Sequence, residues 1–134
     1  MKVHCTKEVE REKVVKKLTD ILKKREEVIF AYIHGSFLKG NFRDVDVAIY
    51  LTESRDVFYE IELEVELEET LKLPVDVRIL NSAPLSFRFG VIKNGLILFS
   101  KDEQVRVEFE TRTISEYHDF AYFRKRYRRE VLGI

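Results

Sequence analysis

The sequence predicts an α/β domain, with helices flanking a small sheet. Two observations carry this. Four short apolar segments, Val28–Ile33, Asp44–Leu51, Val75–Leu80 and Leu96–Phe99, are rich in β-branched and aromatic residues and read as strands. Longer, heavily charged segments with helical spacing lie between and around them. The chain has 134 residues, two prolines and five glycines, so residues 1–134 are expected to form one domain without a flexible linker.

From about Lys7 to Arg25, Val14, Val15, Leu18, Ile21 and Leu22 recur at three- and four-residue spacing, which predicts a helix. The strand Val28–Ile33 runs straight into Gly35-Ser36, and a short helix is expected there before the strand Asp44–Leu51. The stretch Arg55–Lys72 carries two signals. Ile61-Glu-Leu-Glu-Val-Glu-Leu-Glu68 alternates as a strand would, yet Val57, Phe58, Ile61, Val65 and Leu71 share one side of a helix. Its length, between two strands, favours a crossover helix. Its glutamates then read as a solvated face. Pro74 precedes the third strand, and a short helix is expected from about Pro84 to Asn94-Gly95. The final segment, about 102–129, reads as a long helix with Val105, Phe109, Tyr117, Phe120 and Phe123 among its apolar positions.

Lys and Arg together number 24, as do Asp and Glu, so no global positive field draws in nucleic acid. The single cysteine, Cys5, excludes an internal disulfide and a thiolate metal cluster. His4 and Cys5 fall in a terminus expected to be mobile. With no apolar leader and no run of about 18 apolar residues, the expected location is the cytoplasm, with no membrane contact.

Three features converge on chemistry. Gly35-Ser36 directly follows an apolar strand. Glycine permits a tight turn and close backbone approach to a ligand, and Ser36 adds a hydroxyl. Lys39 and Arg43 bring cations nearby, and Gly40 lets the loop bend back. Asp44 and Asp46 are two apart on a strand, so their carboxylates share a face about 6.6 Å apart along the backbone. Like charges so placed favour a hard divalent cation such as Mg²⁺. Asp76 lies in an apolar strand, where a carboxylate is costly unless paired or metal-bound. Ordinary alternatives exist: a turn with Ser36 as a helix N-cap, exposed aspartates, and an edge strand with Asp76 in water or paired with Arg78.

His34-Gly-Ser-Phe-Leu-Lys-Gly-Asn-Phe-Arg-Asp-Val-Asp-Val47 resembles the GS…DxD signature of the DNA polymerase beta-type nucleotidyltransferases. Val75–Pro84, Lys93–Ser100 and Glu116–Asp119 are similar to later segments of that family. The compact length resembles the minimal nucleotidyltransferases (the MNT type), antitoxins that pair with HEPN-domain toxins. The interval from Gly40 to Asp44 is shorter than in many superfamily members. The resemblance implies a nucleotidyltransferase α+β fold, with a small mixed sheet and flanking helices. It implies that Gly35 and Ser36 hold the triphosphate of ATP, with Lys39 and Arg43 beside it. Asp44, Asp46 and Asp76 would bind Mg²⁺ and act as the catalytic carboxylates. The implied reaction transfers AMP to a tyrosine of a partner HEPN ribonuclease toxin and silences it. Two rivals remain: an antitoxin that acts by binding alone, and a nucleotidyltransferase acting on RNA or a small molecule.

Weaker signals are weighed against ordinary roles. Phe123-Arg-Lys-Arg-Tyr-Arg-Arg129 reads first as a solvated helix end, whose cations suit the helix dipole, then as a partner contact. Direct nucleic-acid binding is the least expected of its roles. His34 reads as a packing residue at the strand end before a pocket residue. His118 beside Asp119 has no nucleophile placed near it. Tyr117, Phe120 and Tyr122 read as core or interface.

Overall fold

The computed structural model describes residues 4–5, 8–42 and 44–134. The elements are β1 (His4–Cys5), α1 (Glu8–Lys23), β2 (Val28–His34), β3 (Asn41–Phe42), β4 (Val45–Leu51), α2 (Val57–Leu71), β5 (Val75–Ile79), α3 (Leu85–Asn94), β6 (Leu96–Ser100) and α4 (Glu103–Tyr127). A single 3-10 helix, Gly35–Lys39, follows β2, and a π-helical turn, Arg128–Leu132, extends α4. All four expected strands are present. The region expected to be mobile contains β1, which pairs antiparallel with β3.

The main sheet is mixed, in the order β5-β4-β2-β6. The pair β4–β5 is parallel and joined by α2, and the other pairs are antiparallel. One face of the sheet carries Ala31, Ile33, Val45, Val47, Ile49, Val75 and Val77, which pack with Leu18 and Leu22 of α1 and Leu63 and Leu67 of α2. The opposite face carries Phe30, Tyr32, Ala48 and Leu80, covered by Val91 of α3 and Phe109 of α4. Strand alternation turns Phe30 and Tyr32 to one face and Ala31 and Ile33 to the other, and a register shift between Val28 and Phe30 keeps Val28 with the second set, so a nearly continuous apolar run is buried on both sides. The Tyr32 hydroxyl donates to Glu110 of α4, and Arg106 holds the same carboxylate at 2.7 Å. The α3–α4 contact adds the stacked rings of Phe89 and Tyr117, 3.8 Å between centres.

Helix α2 is present as expected, but its buried face is different. Tyr59, Leu63, Leu67 and Leu71 are buried, whereas Val57, Phe58, Ile61 and Val65 are exposed. Both sets have helical spacing, and the sheet selects the first. The glutamates are not simply a solvated face either. Val75, Val77 and Ile79 of the outer strand β5 donate their backbone N–H groups to Glu68, Glu64 and Glu60 at 3.0, 2.9 and 3.0 Å. The match is geometric. Four helical residues rise about 6 Å, and two strand residues rise about 6.6 Å. Glutamates four residues apart therefore meet every second N–H. Carboxylates close the sheet edge where a further strand would otherwise pair.

Helix α4 is also as expected in extent, but only its first half packs. Phe109 and Thr113 are buried, while Phe120, read as core or interface, and Phe123 are exposed. Tyr117 packs as foreseen, Tyr122 is exposed, and the basic run near Arg129 lies on the exposed end. His118 is exposed beside the Phe89 ring and has no role in the core. No described helix is long and apolar enough to cross a membrane.

Replacing the central rung should show what the ladder contributes. Glu64→Ala leaves the Val77 N–H without its charged acceptor and should lower unfolding free energy by about 1–2 kcal/mol. Glu64→Gln, which keeps an acceptor, should lose less. Urea denaturation of the three proteins reads both values.

Candidate active site

The strand registers assemble the site. His34 of β2 is the cross-strand partner of Asp46 of β4, and Asp46 is the partner of Asp76 of β5. These three residues form a row across one sheet face, the face that also carries Tyr32 and Ala48. Asp44 precedes β4 and lies at period two from Asp46. The three aspartates singled out from sequence are thus brought together, and Gly35 joins them directly. A Cβ built on Gly35 would stand 2.2 Å from Asp46 Oδ2, and its φ is +77°. Glycine is required there twice over, by backbone conformation and by the carboxylate.

The row is electrostatically tense. Burial, then Asp44, then Asp76 push the Asp46 carboxyl up to about 6. Among the described residues, no Lys or Arg forms an ion pair with any of the three aspartates. Arg78 does not pair with Asp76 as the edge-strand alternative supposed. It lies over the Phe87 ring, 4.7 Å from its centre. No three described His, Cys, Asp or Glu side chains close into a metal cage. A Mg²⁺ ion needs no such cage, because one or two carboxylates plus water and substrate phosphate complete its shell. The uncompensated charge around Asp46 fits that kind of ion.

The turn after β2 differs from a long helix start. Gly35–Lys39 is one 3-10 helix, and its cap residue is His34, whose side chain makes no capping bond. Ser36 is inside this turn and is not its N-cap. A cavity of about 630 Å³ opens beside it, lined by His34, Gly35, Leu38 and Lys39 and, from α3, by Ser86, Phe87, Gly90 and Asn94. His34 therefore packs and also lines the cavity. Its ring meets Phe87 edge-on at 5.5 Å, its Nε2 is buried without a hydrogen-bond partner, and burial lowers its pKa. Ser36 and Lys39 are accessible in the turn, whereas Arg43 lies outside the described residues. Sequence reasoning missed the α3 wall. Its signal was present: Phe87, Gly90 and Asn94 are three and four apart on one helix face.

The polymerase beta nucleotidyltransferase family matches residues 16–104, and the chain belongs to that family. No curated protein shows significant similarity to it. Several solved structures share its fold. A tri-AMPylated Shewanella oneidensis HEPN toxin in complex with MNT antitoxin matches at 24% identity and TM-score 0.74, covering 91% of this chain and 98% of that one. A toxin–antitoxin structure with AMP-PNP matches at 26% identity and TM-score 0.71, with the same 91% and 98% coverage. The toxin–antitoxin MntA–HepT matches at 24% identity and TM-score 0.68, over 94% of this chain and 99% of that one. The structural neighbours are thus complexes of MNT antitoxins with HEPN toxins, and the mixed four-stranded sheet with flanking helices is the nucleotidyltransferase fold.

Two stability predictions follow from this geometry. Raising the folded pKa of Asp46 from 3.8 to about 6 means that the folded chain binds its proton more tightly than the unfolded chain. Stability is therefore lost as pH rises through that window. In chelator, Asp46→Asn should melt higher than wild type at pH 7.5, by about 1 kcal/mol after allowance for solvent screening, and the gain should vanish near pH 4. Gly35→Ala should be destabilised by about 1–3 kcal/mol through its positive φ. Thermal melts across pH check the first prediction, and denaturant titration checks the second.

Proposed function

We propose that this chain is a Mg²⁺-dependent adenylyltransferase that uses ATP and acts as the antitoxin of a HEPN ribonuclease toxin, modifying a tyrosine of that partner. The observation that carries the reading is the row of carboxylates at Asp46 and Asp76, with Asp44 beside it, set against an obligatory glycine turn. Few structural roles need three uncompensated aspartates gathered beside one glycine turn. The similar complexes support the partner and the donor: one holds a tri-AMPylated HEPN toxin and another AMP-PNP.

In this reading Gly35 and Ser36 receive the triphosphate, with Lys39 and Arg43 offsetting its charge. The cavity between Lys39 and Phe87 takes the rest of the nucleotide. Asp44, Asp46 and Asp76 would hold Mg²⁺, which when bound neutralises phosphate charge and aligns the oxygens of an in-line displacement. Asp76, on the outer strand, also faces the incoming hydroxyl and can accept its proton. The acceptor oxygen bonds to the α-phosphorus, the bond to the β-phosphate oxygen breaks, and pyrophosphate leaves with the electron pair. The chain contributes mainly position and charge. Modification of the partner then adds to whatever inhibition binding itself provides.

Incubation with the cognate HEPN protein, ATP and Mg²⁺, followed by intact mass measurement, tests the reading. The partner should gain one or more AMP units. Asp44→Asn and Asp46→Asn should each slow the gain on the order of 100-fold or more. A stable complex without any mass gain would instead establish an antitoxin that acts by binding alone.

A further inference from the structure

Arg78 is a cation beside the carboxylate row that the reaction above leaves unused. It follows Asp76 by two residues on β5, so both side chains leave the same sheet face about 6.6 Å apart along the strand. It is exposed, and it has no ion-pair partner among the described residues. Phe87 fixes its place, because the ring that lies under Arg78 also meets His34 and lines the nucleotide cavity.

The direction of the reaction gives this position a meaning. Strand order places the glycine turn after β2 on one side of Asp46, and Arg78 on β5 on the other. In-line displacement sets the entering hydroxyl opposite the leaving pyrophosphate. With the triphosphate at Gly35 and Ser36, the acceptor enters over β5, past Arg78. A bare tyrosine brings no phosphate there. An acceptor that already carries AMP does, because its sugar hydroxyl lies one ribose away from a phosphodiester. Several AMP groups on one toxin occur in a similar complex.

We propose that Arg78 is an acceptor-side phosphate site, gripping the phosphodiester of an AMP already attached and thereby promoting the second and later additions. The proposal rests on the adenylylation reading. Each later addition balances as the first does: a ribose hydroxyl oxygen bonds to the α-phosphorus of a new ATP, pyrophosphate departs with the electron pair, and the hydroxyl proton passes to Asp76 or water. The group bound is an oxyanion next to the acceptor hydroxyl. A phosphodiester and an acidic side chain of the partner would both satisfy that chemistry, and they differ in which addition they affect.

A time course of intact masses, with the cognate HEPN protein, ATP and Mg²⁺, separates these. The ratio of second to first addition rates should fall on the order of tenfold in Arg78→Ala, the loss expected for one charge-assisted hydrogen bond. Arg78→Lys should lie between Arg78→Ala and wild type. Melting temperatures of the variants should stay within a few degrees of wild type, since only the ring contact is lost. An unchanged ratio overturns the proposal, as does an equal loss at every addition, which would point to an acidic side chain. Wild-type chain that adds only one AMP overturns it too. Wild-type chain that adds none overturns the adenylylation reading itself.

Discussion

Asp46 Oδ2 occupies the space that a Cβ at position 35 would need, and much of the molecule is arranged around that contact. The contact requires β2 and β4 to pair in one register, with His34 opposite Asp46. That register in turn fixes which residues of both strands face α1 and α2 and which face α3 and α4. A slip of one residue would send Asp46 into the packed face with Val45 and Val47 and bring valine to the turn. The hydrophobic pattern and the site therefore specify the same alignment. The core does not merely support the carboxylates; burying it in the correct way is what lines them up.

The two faces of the sheet divide the work. The face under α1 and α2 is mainly aliphatic, with Phe99 of β6 its aromatic member, and supplies the larger cluster of buried side chains. The face under α3 and α4 is more aromatic and is only partly covered. Phe30, Tyr50 and Phe109 pack together at one end, while the row containing His34, Asp46 and Asp76 is left open at the other. Helix α3 ends at Asn94, and Gly95 turns the chain directly back beside Ile33 and His34, where a Cβ would stand 2.6 Å from the Val91 carbonyl oxygen and 3.1 Å from that of Ile33. This close return brings Phe87 and Gly90 to the cavity without a long loop.

Much of this was legible in the sequence because it rests on local pattern. The strands announced themselves by composition. Gly35, Asp44, Asp46 and Asp76 stood out as polar or special residues beside apolar runs. What was not legible depended on contacts between distant segments. Val57, Ile61 and Val65 are spaced as well as Leu63, Leu67 and Leu71, and nothing local says which set meets the sheet. The roles of Glu60, Glu64 and Glu68 become visible only once β5 is known to be an edge. Arg78 could equally have paired with Asp76, its neighbour on the strand, and instead lies on Phe87. The aromatic residues in the outer half of α4 read as core or interface, and the sheet and its helices leave Phe120, Tyr122 and Phe123 exposed.

The glutamate ladder sets a limit on the strand it covers. Each rung lengthens the strand by about 0.6 Å more than the helix and turns the helix by about 40°. The two repeats behave as a vernier: they coincide over the three rungs, at 3.0, 2.9 and 3.0 Å, and the mismatch grows beyond them. A five-residue β5 uses almost the whole span over which they coincide. Lengthening β5 by two residues would leave a new N–H that no fourth glutamate could meet, so the breadth of this edge is set by the pitch of the neighbouring helix.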